Sequence, residues 1–197
     1  MKYQTFREWS RAWTDARKQL WDNKLILDLW SANIPGDWRR KDWQGCWGYR
    51  KISKKGAEQK GEKGTERELL GERGTLRLLR LKRNEHEYAI ISAYHNFPLT
   101  KIKSGQVVSD VLGIVLADGL RPLLVEVKVN ANDPWYALVE CLKQVRLARA
   151  DDSRICKHLN KVVTKVEEGV WGLVVAPAVY FSKKKDVLRN VIAFWTD

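Results

Sequence analysis

The spacing of apolar residues divides the chain into stretches of different period. From residue 1 to about 33, Phe6, Trp9, Trp13, Ala16, Leu20 and Leu27 recur every three to four positions, which predicts helix. Ile34-Pro35-Gly36 stops it. Thr65 to about Lys82 also reads as a helix, although 76–81 (LRLLRL) fits a strand as well. Tyr88–Ala93 reads as the first strand of a sheet. Val107–Ala117 and Leu123–Val129 are nearly continuous β-branched runs, as expected of central strands covered on both faces. Asp118-Gly119 between them is a hairpin signal, since Gly takes positive φ without steric cost.

Downstream, Asp133-Pro134 predicts an N-cap and first helical residue. That helix runs to about Ala150, with Leu138, Cys141, Leu142, Val145 and Ala148 buried and Gln144 at the border of the stripe. Lys143, Arg146 and Arg149 are expected toward solvent. Asp152-Ser153 opens a further helix carrying Ile155, Leu159, Val162 and Val166. Val170–Phe181 is a strand whose second half, after Pro177, is not central. Lys185–Trp195 closes as a helix. The glycine-rich, polar stretch Gly56–Gly64 marks a boundary between an N-terminal segment, 1–55, and a core, 62–197.

Into the hydrophobic strand pair the sequence places Asp110, Glu126 and Lys128. Buried unpaired charges are too costly to keep, so these three must meet each other, a metal or a substrate. Glu126 and Lys128 share a face. Asp110 joins that face only across an odd loop, three residues (Asp118-Gly119-Leu120) or five, or a bulge. A strict two-residue turn would send it to the other side.

An aspartate on one apolar strand followed by Glu-x-Lys on the next resembles the PD-(D/E)XK nuclease superfamily, with Ser109-Asp110 and Glu126-Val127-Lys128 as the matching residues. Ser109 stands where the family has proline. The resemblance implies an α/β fold over about 62–195, a mixed central β-sheet flanked by helices (a restriction-endonuclease-like core), with the Trp-rich helical N-terminal segment outside it. It also implies a metal site of Asp110, Glu126 and the Val127 carbonyl, holding Mg²⁺ or Mn²⁺, which prefer oxygen ligands. Lys128 would orient the attacking water and stabilise the transition state. Glu72, with Glu68 as second choice, is the candidate glutamate from the first core helix. Gln144 is the candidate glutamine near the metal site, with a plain helix-surface role as its alternative. The tyrosine that several family branches carry four residues after that glutamine is Ala148 here.

Composition sharpens the choice of substrate. Lys and Arg number 36 against 24 Asp and Glu, a net charge of +12, which favours a polyanionic partner, nucleic acid before membrane. Seven of the 10 tryptophans lie in the first 47 residues, interleaved with basic residues. Arg39, Arg40, Lys41, Trp43 and Trp47 could hold phosphates and stack on bases, or the rings could pack the helix onto the core. Lys101 and Lys103 are further candidate phosphate contacts. Cys46, Cys141 and Cys156 are scattered and form no CxxC pair, so reduced thiols in a cytoplasmic protein are expected. No apolar run approaches the length of a membrane span. The expected activity is metal-dependent hydrolysis of DNA, ahead of RNA. The alternative is a non-catalytic nucleic-acid-binding or partner-docking protein that keeps the fold. A homodimer or partner protein stays open.

Overall fold

The computed structural model describes residues 2–19, 22–40, 43, 78–83, 86–101, 106–128 and 134–176. Within them the chain is α/β: a mixed five-stranded sheet with four helices. The helices are α1 (Phe6–Ala16), α2 (Asn23–Ser31), α3 (Pro134–Arg149) and α4 (Asp152–Leu159). The strands are β1 (Leu78–Arg83), β2 (His86–Pro98), β3 (Val108–Leu116), β4 (Leu120–Val127) and β5 (Trp171–Val175), and they lie side by side in chain order. The first four form an antiparallel meander, and β5 pairs parallel with β4 after the excursion through α3 and α4.

The N-terminal region breaks into two helices rather than one. Thr5 and Glu8 form a capping box on α1, the side chain of each accepting from the other's backbone N–H. Asp22 restarts the helix by accepting from the N–H groups of Lys24 and Leu25. Residues 78–83 are a strand, so the helix expected to reach Lys82 gives way to the alternative pattern at its C-terminal end. Pairing with β2 satisfies the backbone here across the sheet, and β1, not Tyr88–Ala93, comes first. α4 ends at Leu159, so Val162 and Val166 lie beyond it. The expected helix over 185–195 and the chain after Pro177 lie outside the described residues.

The β3–β4 loop has three residues, Ala117-Asp118-Gly119, because Leu116 pairs with Leu120. Its parity matches the expectation, but the register is offset by two. Continued one step beyond the Val111–Val125 pair, it sets Asp110 across from Glu126 rather than Lys128. Gly119 does not use positive φ. A Cβ there would lie 3.0 Å from the Glu167 carboxylate, a tight approach that this exposed side chain can relieve by moving. Gly172 is a second case: a Cβ would meet Val145 and Cys141 at 2.8 and 2.9 Å, so its absence lets α3 settle on β5.

Alternation of side chains sorts the central strands into two apolar clusters. Leu112, Ile114 and Leu124 face the helices and join Phe6, Trp9, Trp13, Ile26, Leu29, Trp38 and Trp43 in the larger core. Val111, Val115, Leu123, Val125 and Val127 belong to the cluster on the opposite face. The N-terminal tryptophans are therefore structural in part. Trp9 and Trp13 are wholly buried, and removing a ring of this size from a core costs about 3–5 kcal/mol. The same packing overturns the solvent assignment of two α3 residues. Lys143 donates to Ser10 of α1, and Arg146 donates to the Trp30 and Ala32 carbonyls at the end of α2. Both are drawn in because α1 and α2 cover the outer side of α3. Arg149 stays exposed.

Candidate active site

Glu126, Asp110 and Lys128 come together on the helix-covered face of the sheet. Even-numbered positions of β3 and β4 point that way, so the acidic pair sits in line with Leu112, Ile114 and Leu124. The strands part here. Val127 N–H, which would otherwise extend the ladder, donates to Asp110 Oδ2 at 2.7 Å. In an extended strand the N–H and C=O of one residue leave on the same edge, so the Val127 carbonyl faces the same gap. Ser109, wholly buried, donates its hydroxyl to the Val111 carbonyl at 2.9 Å. It secures the strand just before the aspartate by a hydrogen bond that proline cannot make.

Glu126 is 3% exposed, and both of its oxygens are engaged. Lys128 Nζ donates to Oε1. Gln144 Nε2 donates to Oε2 at 2.7 Å, and Gln144 is itself 1% exposed. The amide presents its NH₂ group to Glu126, which leaves Gln144 Oε1 buried without a partner. The glutamine thus belongs to the acidic cluster, not to the helix surface.

Three residues unforeseen from the sequence complete the cluster. Glu140 lies 3.6 Å from Lys128 Nζ and 3.2 Å from Nη1 of Arg17, the residue that caps the C-terminus of α1. The Arg17 guanidinium stacks on Tyr136 at 4.2 Å. Tyr136, Glu140 and Gln144 are four apart on α3 and form one row toward β4. Given Gln144, counting back by four would have found the other two. The ring on this row precedes the glutamine by eight residues.

The electrostatics follow from burial and like charge. Burial first, then the charges of Asp110 and Glu140, raises the pKa of Glu126, and the hydrogen bond from Lys128 opposes the rise. Burial works against the Lys128 ammonium, but its hydrogen bond to Glu126 and the carboxylates around it outweigh that cost, so its pKa is raised and it remains a cation. Three carboxylates crowd two cations.

This donor set fits a hard divalent cation: carboxylate and carbonyl oxygens where negative charge is in excess. Among the described residues no three His, Cys, Asp or Glu side chains form a ready-made cage. Mg²⁺ commonly needs only one or two carboxylates, with water and substrate phosphate completing its shell.

The remaining candidates are placed differently. Glu72, Glu68, Lys41, Trp47 and Lys103 lie outside the described residues. Trp43 is 6% exposed, donates to the Pro98 carbonyl at 2.8 Å and packs on Phe97 and His158, so its ring cannot stack on a base. Arg39 is committed to Asp151 at 3.6 Å and to the Ala150 carbonyl at 2.9 Å. The Arg40 carbonyl accepts from Arg154, and Lys101 pairs with Asp37. None of these four joins the acidic cluster. Cys141 and Cys156 are free and buried. No described helix is long and apolar enough to cross a membrane. No family model, curated protein or solved structure matches the chain.

Proposed function

We propose that the chain is a metal-dependent deoxyribonuclease of the PD-(D/E)XK type, with its mixed sheet as a restriction-endonuclease-like core. The observation that carries this reading is the convergence of Asp110, Glu126 and Lys128 at the gap where β3 and β4 part. The net charge of +12 supports a polyanionic substrate.

Asp110, Glu126 and the Val127 carbonyl would hold Mg²⁺ or Mn²⁺. When bound, such an ion offsets charge on the scissile phosphate and makes water a better nucleophile at neutral pH. Lys128, held beside Glu126, keeps its proton and presents a positive charge to the phosphate as negative charge builds in the transition state. Gln144 fixes one Glu126 oxygen. Arg17 draws Glu140 toward α1, so that Glu140 does not compete fully for Lys128.

Cleavage of supercoiled plasmid should require Mg²⁺ or Mn²⁺, stop on chelation and fall to background in Asp110→Ala and in Glu126→Ala. DNA binding should persist or improve, because removing carboxylates lessens repulsion. Undiminished cleavage by both variants rules out this site. One observation favours a non-cleaving nucleic-acid-binding or partner-docking protein: both Glu126 oxygens are already engaged, by Lys128 and Gln144. That reading predicts DNA binding with no metal-dependent cleavage in the same assay.

A further inference from the structure

Next to the acidic cluster, α1 and α3 enclose a cleft of about 430 Å³ whose lining includes Ser10, Trp13, Thr14, Arg17, Lys143 and Gln144. Trp13, Arg17 and Lys143 bring only donors to it, while Ser10, Thr14 and Gln144 can also accept. Lys143 Nζ bonds only neutral oxygens, the Ser10 hydroxyl at 2.7 Å and the Ser10 carbonyl at 3.2 Å. Among the described residues no carboxylate lies within ion-pairing distance of it. Arg17 Nε and Trp13 Nε1 are buried without partners. The one carboxylate in the lining, Glu140, is already drawn to Arg17 and Lys128.

A part-buried ammonium without a counter-ion is costly. Burial lowers the Lys143 pKa to about 8, with Arg17 pushing the same way and Glu140 opposing. A group of small size, negative charge and several acceptor oxygens would relieve this, and a phosphate has those properties. The cleft adjoins the candidate active site. Gln144 lines it and bonds Glu126, and Val108, also in its lining, is two residues from Asp110 on the same face of β3. A strand of nucleic acid with one phosphate at Glu126 carries further phosphates on either side, and Gln144 joins that position to the cleft.

We propose that this cleft binds a backbone phosphate of the nucleic-acid substrate beside the scissile one, with Lys143 as its counter-ion and α1 as one wall. The inference rests on the nucleic-acid substrate proposed above, and it makes the Trp-rich N-terminal segment part of the substrate site as well as of the core.

Binding of a fluorescein-labelled DNA duplex, measured by anisotropy in EDTA across a KCl series, tests it without cleavage. Lys143→Met should weaken binding about tenfold at low salt and lower the slope of log K against log salt by about one, the signature of one lost phosphate contact. Lys143→Arg should restore the slope. Thr14→Glu, half-buried on α1, should weaken binding by adding a carboxylate to the cleft.

An unchanged slope in a folded Lys143→Met overturns the proposal. If that variant does not fold, undiminished binding by Thr14→Glu overturns it. Inorganic phosphate binding that depends on Lys143, alongside duplex binding that does not, assigns the cleft to a free anion and also overturns it. Asp110→Asn separates the two readings: it should abolish cleavage and leave the salt slope intact. A slope that depends on Lys143 without any Asp110-dependent cleavage keeps the cleft and discards the nuclease.

Discussion

Glu126 and Asp151 are both buried carboxylates next to α3, at 3% and 7% exposure, yet their surroundings differ in kind. Asp151 is the N-cap residue of α4 and faces two guanidiniums, Arg154 at 2.9 Å and Arg39 at 3.6 Å. Burial raises its pKa, and both arginines act against that rise. Glu126 has one cationic partner, Lys128, and two carboxylate neighbours whose charges add to the effect of burial. The first cluster answers its own charge and serves as a brace, tying residues 39–40 to the start of α4. The second keeps like charge together at a gap in the sheet, an excess that a proton on Glu126 or a bound cation would relieve. Burial alone does not distinguish the two carboxylates. The sign of the neighbouring charges does, and it is what makes Glu126 the candidate site proposed above.

Substitutions at the two clusters can break this contrast. Lys128→Ala should lower the rate of DNA cleavage by a factor on the order of 10²–10³, the scale for losing one transition-state stabiliser, while metal binding, followed by calorimetry, persists. Loss of metal binding that alone accounted for the rate would assign Lys128 to shaping the carboxylates instead. Asp151→Ala should leave cleavage per folded molecule unchanged but destabilise the fold by about 2–3 kcal/mol in urea unfolding, the scale of a lost hydrogen bond to a charged group, since it removes the acceptor that Arg154 and Arg39 share. A fall in cleavage without a fall in stability would make the brace functional.

A smaller effect should come from His158, which is buried among Trp43, Tyr94 and Phe97 with Nε2 unpartnered. Burial, and next the Lys161 charge, lowers its pKa from the ordinary 6.5 to about 4. Between these values the unfolded chain binds the proton and the folded chain does not. Stability from this residue is therefore complete above about pH 6.5 and lost as pH falls toward 4, on the order of 2 kcal/mol. His158→Phe should flatten the pH dependence of the melting temperature in that window. An unaltered profile would mean that other groups carry the acid sensitivity.

Much of this was legible in the residues because it is local or periodic. The apolar runs around 107–117 and 123–129 mark two strands, Pro134 opens α3 and Pro35 follows α2. Parity needed only the alternation of side chains: any odd loop puts Asp110, Glu126 and Lys128 on one face. The break between α1 and α2 left one local mark, the Asp22 cap, but the apolar period by itself reads as a single helix over residues 1–33.

Tertiary contact decided what periodicity leaves open. Loops of three residues centred on different positions have the same parity, so only the pairing of Leu116 with Leu120 sets Asp110 opposite Glu126. Residues 78–83 fit two periods, and their partner β2 chose the strand, because a backbone hydrogen bond made across a sheet has no signature in the sequence of one strand alone. Trp43 alternates with basic residues in a way that suits base stacking as well as packing, and burial against Phe97 and His158 settled which. Lys143 and Arg146 occupy the outward side of their helix, and a side chain is outward only until another element covers it. The chain itself determines which faces exist. Which of them meet, and so which charges are left unanswered, depends on packing between segments more than a hundred residues apart.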